Sequence, residues 1–99
     1  MKFSEQQLNH MLEEHQAYFY AGMTRPVEFR IAQLEILKST IKKYEVEVIE
    51  ALYKDLRKSE FEAYVTEIGL VYDNISFMIK NIAQWMEPKY VKTPVALMP

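Results

Sequence analysis

Two histidines and a set of glutamates are the side chains in this sequence best suited to acid–base or metal chemistry. His10 and His15 are the only imidazoles among the 99 residues. Five positions apart on a helix, they point about 140° away from each other, whereas two helical metal ligands must share a face. No glutamate stands in the Glu-x-x-His pairing of helical di-iron sites. The sequence therefore predicts no metal site in this segment.

Motifs for nucleophilic or cofactor chemistry are also missing from the sequence. It has no cysteine, which excludes a thiol nucleophile, a disulfide scaffold and a zinc-thiolate site within these residues. The strings G-x-G-x-x-G, G-x-x-x-x-G-K-[ST] and G-x-S-x-G do not occur, so no dinucleotide cradle, P-loop or serine nucleophile elbow can be placed. We predict no catalytic residue and no cofactor-binding residue in this segment.

The charge balance disfavours a nucleic-acid partner. Twelve basic residues face fourteen acidic ones, a formal net charge of -2, and this leaves no basic excess to neutralise phosphates. The seven tyrosines are interpreted as packing and interface residues, not as base-stacking platforms. No apolar run approaches the roughly 20 residues of a membrane span. We predict a cytoplasmic chain without a membrane span.

The elements that would position any site are helical. Nearly half of the side chains are hydrophobic, and only two glycines and four prolines interrupt the chain, which is typical of one small all-α domain. Ser4 and Gln7 form a capping-box pattern, as do Ser59 and Glu62, and Thr24 or Arg25 is expected to cap a helix with Pro26 in its first turn. Apolar spacing of three and four predicts helices over about 5–21, 26–43, 45–56 and 60–86. The domain organisation expected is a helical segment, 1–86, followed by an extended tail, 87–99.

The helix over 60–86 carries two apolar faces. Its main stripe is a broad, core-facing one, made of Phe61, Val65, Ile68, Tyr72, Ile75, Ile79, Ile82 and Met86. Thr66, Leu70 and Phe77 lie off that stripe, with Gly69 beside them. A glycine inside a helix lowers helix stability by about 1 kcal/mol relative to alanine, so its presence indicates a close approach of another group to the backbone. Two explanations remain open. The helix is sandwiched between two layers, or its second face lines a ligand passage.

Three runs of the sequence resemble a known enzyme family. The first is G-x-T-R-P-x-x-F-R-x-x-Q-L over residues 22–34, the second covers residues 50–64, and the third is Trp85 followed by Val-Lys-Thr-Pro at 91–94. In this order and spacing they resemble the N-terminal helical segment of an NAD(P)-dependent aldehyde dehydrogenase of the class 3 or fatty-aldehyde type. The resemblance extends from about Leu8 to Pro94.

The resemblance implies an α/β enzyme about four to five times this length. In that family a cysteine thiolate attacks the aldehyde, hydride passes to NAD or NADP, and a glutamate activates water to release the acid. The segment itself is expected to be inactive and to bind no cofactor, with the remainder of the chain as its partner. The resemblance also implies that the helix over 60–86 contributes to the substrate-tunnel wall, with Thr66 and Leu70 as candidates and Gly69 and Phe77 as weaker neighbours.

A function of a different class remains open. The length and the broad apolar stripes also suit a stand-alone helical module that binds a partner helix or self-associates. An isolated N-terminal segment would likewise expose the surfaces meant for its own cofactor domain, so self-association of the 99 residues is expected.

Overall fold

The computed structural model describes residues 2–98, and 76% of the chain is helical. The elements are α1 (Glu5–Tyr20), α2 (Val27–Lys43), α3 (Glu45–Leu56), α4 (Glu60–Ala63), a π-helical turn (Tyr64–Ile68), α5 (Gly69–Trp85) and a 3₁₀ turn (Val95–Leu97). Helix α4, the π turn and α5 run on as one long helix. The predicted all-α fold class is confirmed. None of the helices in the part of the chain that the structure describes is long and apolar enough to cross a membrane.

The helix ends follow the predicted capping signals, with two exceptions: the cap of α2, and the Ser59–Glu62 box, in which only the Glu62 amide bond to the Ser59 hydroxyl is formed. At the start of α1 the Gln7 amide donates to the Ser4 hydroxyl at 3.1 Å, and the Ser4 amide donates to the Gln7 side chain at 2.8 Å. Gly22 takes a left-handed φ of 79° just after α1. The prediction that Thr24 or Arg25 caps α2 is wrong. Pro26 is itself the cap, because its backbone is extended and the helix begins only at Val27.

The apolar phase of the long helix differs from the prediction at its N-terminal end. Ala63 and Ile68 are buried, whereas Phe61 is 78% exposed and Val65 is 49% exposed. The π turn explains the difference, since its wider turn offsets the residues before it by about one position, or about 100°, relative to a continuous α-helix. Phe61 and Val65 therefore do not belong to the buried stripe.

The helices pack as a thin layer and not as a closed bundle. Helix α2 packs along α5, and α3 packs on α2 and α4. The buried residues of the described chain are Ala63, Ile68, Tyr72 and Ile75. The Cα radius of gyration is 20.0 Å, against about 13 Å for a compact chain of this length. The total accessible surface is 8887 Å², against about 5,900 Å² for a compact protein of this mass.

Helix α1 buries none of its residues. Its predicted apolar stripe exists, but every residue of α1 is exposed. The ring of Tyr18 meets Phe29 of α2 at a centroid distance of 6.1 Å. Within residues 2–98 the stripe is a surface and not part of the core.

The tail after α5 is exposed and irregular up to Pro94, and it then forms a short turn. The Leu97 amide donates to the Pro94 carbonyl at 2.9 Å, since Pro94 fixes a φ of -57° that suits a tight turn. The predicted extended tail thus contains one 3₁₀ turn. Pro99 lies outside the described residues.

Candidate functional site

The two apolar candidates of the long helix, Leu70 and Phe77, lie on the face of α5 that is turned away from the core. At 100° per residue both point about 140–160° away from Tyr72 and Ile75, the buried side chains of the face that packs on α2. Leu70 is 54% exposed and Phe77 is 58% exposed. In residues 2–98 no second layer covers this face, so a sandwich is not formed within the described chain.

An aromatic pair extends this outer face toward the end of α5. The Phe77 and Trp85 rings are tilted with centroids 5.6 Å apart, and Trp85 is more than half exposed. The Asn81 side chain donates to the Phe77 carbonyl at 2.8 Å. We refer to Thr66, Leu70, Phe77 and Trp85 as the outer face. At about 1.5 Å per residue, this strip extends over about 28 Å of the helix.

Gly69 has an intramolecular reason to be glycine. Its amide donates to the Tyr64 carbonyl across the π turn. A Cβ added at Gly69 would stand 2.9 Å from that carbonyl oxygen and 3.4 Å from the Tyr64 ring. The close approach expected from the sequence is thus made by Tyr64 of the same helix. The backbone at Gly69 also lies directly before Leu70 of the outer face.

Thr66 lies inside the π turn and belongs to a small polar cluster. Its hydroxyl donates to the Glu62 carbonyl at 2.8 Å, and the Lys58 ammonium donates to the Thr66 oxygen at 3.0 Å. The same ammonium contacts Glu67 Oε1 at 2.8 Å. The Lys58 side chain is only 20% exposed. We call Lys58, Thr66 and Glu67 the π-turn cluster.

Lys58 could not be found from the sequence, where it forms part of a polar break between helices. It contacts residues eight and nine positions ahead of it, and no local periodicity links positions so far apart. The turn that makes the contact is set by Arg57, which has a left-handed φ of 55°. Such a conformation is uncommon for a residue other than glycine, asparagine or aspartate.

A separate apolar groove runs between α2 and α5. It has a volume of about 390 Å³ and is lined by Phe29, Arg30, Gln33, Leu34, Leu37, Met78, Ile82 and Trp85. None of the four candidate wall residues lines it. The groove and the outer face share Trp85 at the end of α5, so both sides of this helix expose apolar surface.

The phenol of Tyr72 lies in the core, and its environment shifts its pKa. Burial raises the pKa of its phenol, and the nearby Glu45 carboxylate raises that pKa further. The hydroxyl is buried, and among residues 2–98 it has no hydrogen-bond partner of ordinary length, Glu45 included. The Lys42 ammonium lies 5.6 Å from the centre of the ring. A tyrosine is neutral at physiological pH even without this shift, so Tyr72 is a residue of the core and not a candidate acid or base.

The histidines take no part in a cluster of metal ligands. His10 Nε2 lies 2.8 Å from Glu14 Oε1 on the exposed surface of α1. In the described part of the chain no three side chains of the types that bind metals come together.

Comparison with known proteins identifies the family. Over 83 residues the chain is 42% identical to the 4,4'-diaponeurosporen-aldehyde dehydrogenase of Staphylococcus aureus, a match that covers 84% of this chain and 18% of that protein. Over 88 residues it is 40% identical to the dimeric NADP-preferring aldehyde dehydrogenase of Canis lupus familiaris, covering 88% of this chain and 19% of the relative. The chain belongs to the aldehyde dehydrogenase family.

A plant aldehyde dehydrogenase adds nearly complete coverage of the chain. The chloroplastic aldehyde dehydrogenase family 3 member I1 of Arabidopsis thaliana is 36% identical over 97 residues, which is 98% of this chain and 18% of the relative. The chain thus spans about a fifth of the length of these curated relatives. No family model and no solved structure matches it.

The string that carries the aldehyde dehydrogenase resemblance folds as the corner between α1 and α2. Gly22 supplies the left-handed turn. Arg30 reaches back from α2 and donates through Nε to the Thr24 carbonyl at 2.7 Å, and Phe29 meets Tyr18 of α1. The residues that identify the family are here structural residues of a corner, with no reacting group among them.

Proposed function

We propose that residues 1–99 are the N-terminal helical region of an NAD(P)-dependent aldehyde dehydrogenase of the class 3 type. The identity of 36–42% to aldehyde dehydrogenases over most of the chain supports this proposal. The reaction proposed for the whole enzyme is oxidation of an aldehyde to a carboxylic acid through a cysteine thioester, and the nicotinamide supplies the hydride acceptor. The cysteine belongs to another part of the enzyme, since this segment contains none.

In this proposal the segment neither catalyses nor binds the cofactor. Its two glycines lie after α1 and at the end of the π turn, and neither forms a strand-to-helix phosphate loop of the kind that dinucleotides need. The segment is proposed to supply structure and one wall of the substrate passage. The predicted cytoplasmic location is part of the same proposal.

The candidate wall lies on the outer face of the long helix and consists of Thr66 and Leu70 first, with Phe77 and the Gly69 backbone beside them. The main support for this wall is that Leu70 and Phe77 point away from the core and are more than half exposed. Exposed apolar side chains in a row suit the alkyl chain of an aldehyde. A bulkier residue at Leu70 would shorten the space open to that chain.

The wall is tested by Leu70→Trp in the intact enzyme. We expect kcat/KM to fall for long aldehydes relative to short ones, because the indole fills space beside the alkyl chain. Leu8→Trp is a matched control, since Leu8 has almost the same exposure, 52%, but lies on α1. An unchanged chain-length profile in Leu70→Trp would remove Leu70 from the wall.

The role of the segment is tested by titrating NAD and NADP into isolated residues 1–99 and into the intact enzyme. We expect binding and aldehyde oxidation by the intact enzyme alone. Dinucleotide binding by the isolated segment would contradict the proposed division of roles between this segment and the rest of the enzyme.

A stand-alone or self-associating helical module is the second candidate, and one observation favours it. The accessible surface exceeds that of a compact protein by about 3,000 Å², which is on the scale of a large protein interface. As an enzyme segment the same surface would contact the rest of the chain, and in isolation it would drive self-association. Sedimentation of residues 1–99 should therefore show an oligomer. A monodisperse, well-folded monomer would count against the enzyme-segment proposal.

A further inference from the structure

Lys58 connects the loop before the long helix to the π turn inside it. Its ammonium donates to Thr66 Oγ1 at 3.0 Å and to Glu67 Oε1 at 2.8 Å. Both acceptors belong to the five residues of the turn, whereas Lys58 lies two positions before the helix begins. The left-handed Arg57 reverses the chain just before it. The lysine thus holds the turn from outside the helix.

The π turn decides how the residues on either side of it face one another. Beyond the turn, Tyr72 and Ile75 are buried against the core and fix the rotation of α5. Conversion of the turn into an α-helix would rotate the preceding residues by about 100° relative to α5. Thr66 lies within the turn and Leu70 lies just beyond it, so the turn sets their relative position on the outer face.

The contacts of Lys58 suit it to preserve this register. A π turn is a locally less stable form of helix, and it persists only where surrounding contacts favour it. Lys58 is mostly shielded from water, with its side chain 20% exposed, so its charge-assisted bonds are stronger than those of a surface lysine. The Thr66 hydroxyl is fixed at the same time by its bond to the Glu62 carbonyl.

We propose that Lys58 is a positioning residue for the substrate passage. By binding Thr66 and Glu67 it holds the π turn in register, and the register sets how Thr66 is rotated relative to Leu70 on the candidate wall. This inference rests on the proposed function of the outer face. Lys58 itself touches no substrate in this proposal.

The test compares variants of the intact enzyme on a series of straight-chain aldehydes, with kcat and KM measured separately. In Lys58→Met we expect the ratio of kcat/KM between long and short aldehydes to change on the order of tenfold, because the substitution removes both charge-assisted hydrogen bonds of the ammonium. Most of the change should appear in KM, because the reacting groups are untouched. Lys58→Arg should restore the profile, since it keeps the charge and can donate to two oxygens.

Two further variants make the result specific. Lys80→Met removes a lysine from α5 that is exposed and should leave the profile unchanged. Glu67→Gln removes the ion pair while it keeps the shape of the side chain, and it should shift the profile in the same direction as Lys58→Met. Glu67→Gln also tests the positioning role of Lys58 if Lys58→Met fails to fold.

The outcomes separate this inference from the proposed function. An active enzyme whose profile is the same in Lys58→Met and Glu67→Gln as in the wild type, even with a lower unfolding temperature, would overturn the positioning role and leave the proposed function standing. A wild-type enzyme that oxidises no aldehyde in the series would overturn both.

Discussion

The substitution Gly69→Ala tests whether the π turn is a real constraint on the long helix. A methyl group at this position would stand 2.9 Å from the Tyr64 carbonyl oxygen, well inside ordinary van der Waals contact. That carbonyl already accepts the Gly69 amide, so it cannot retreat without weakening the hydrogen bond that closes the turn. The Tyr64 ring would lie at 3.4 Å from the same methyl group, which is an ordinary contact, so the carbonyl is the obstacle.

Two opposing effects decide the magnitude for Gly69→Ala. Alanine favours the helix over glycine by about 1 kcal/mol, whereas overpacking of a tight site costs about 1–3 kcal/mol. Because the obstructing atom is backbone, we expect the cost to exceed the gain by about 1 kcal/mol. For a domain of this size the thermal midpoint should then fall by about 4–8 °C.

The assay is thermal unfolding of residues 1–99 followed by circular dichroism. Asn74→Ala is the control, since Asn74 is an exposed position of the same helix. This variant should raise the free energy of unfolding by up to about 0.5 kcal/mol, because alanine is the better helix former. If Gly69→Ala raises the midpoint as Asn74→Ala does, the Tyr64 carbonyl does not require glycine, and the π turn does not constrain the long helix.

Two other predictions concern the core. Ile75→Ala should lower the free energy of unfolding by about 2–5 kcal/mol because the side chain is buried, whereas Phe61→Ala should change it by no more than about 0.5 kcal/mol. Equal losses for the two variants in urea unfolding would contradict a buried Ile75 and an exposed Phe61. Tyr72→Phe should be neutral or slightly stabilising near pH 7, since it removes a buried hydroxyl without a partner. Because folding raises the pKa of the Tyr72 phenol, ionisation of the phenol favours the unfolded state. The free energy of unfolding is unaffected by this group below about pH 10, the ordinary pKa of tyrosine, and falls as pH rises toward the folded-state value. The unfolding midpoint should therefore fall less at alkaline pH in Tyr72→Phe than in the wild type or in the exposed Tyr90→Phe. If the midpoints of all three proteins fall in parallel as pH rises, the pKa of Tyr72 is not raised by folding.

The helices could be predicted from the sequence because their signals are local. Ser4 and Ser59 cap helices as expected, with the Glu62 amide donating to the Ser59 hydroxyl at 3.1 Å, and Gly22 ends α1. These signals involve residues three or four positions apart, which a sequence displays directly.

The π turn could not be predicted, because an apolar pattern read at 3.6 residues per turn passes through it without a break. That pattern places Phe61 and Val65 in the core, whereas both are exposed. Gly69 is the only hint of the turn in the sequence, and its partner Tyr64 can be identified only from the structure. The contact of Lys58 with Thr66 likewise depends on the reversal at Arg57, which no residue pattern indicates.

The most direct test of the central claim is to identify the product formed from a fatty aldehyde by the intact enzyme that contains residues 1–99. We predict a carboxylic acid, formed in equal amount to reduced NAD or NADP, and no turnover by residues 1–99 alone. Consumption of aldehyde without reduced nicotinamide, or an intact enzyme that leaves every aldehyde and both cofactors unchanged, would contradict the assignment of this segment to an aldehyde-oxidising enzyme.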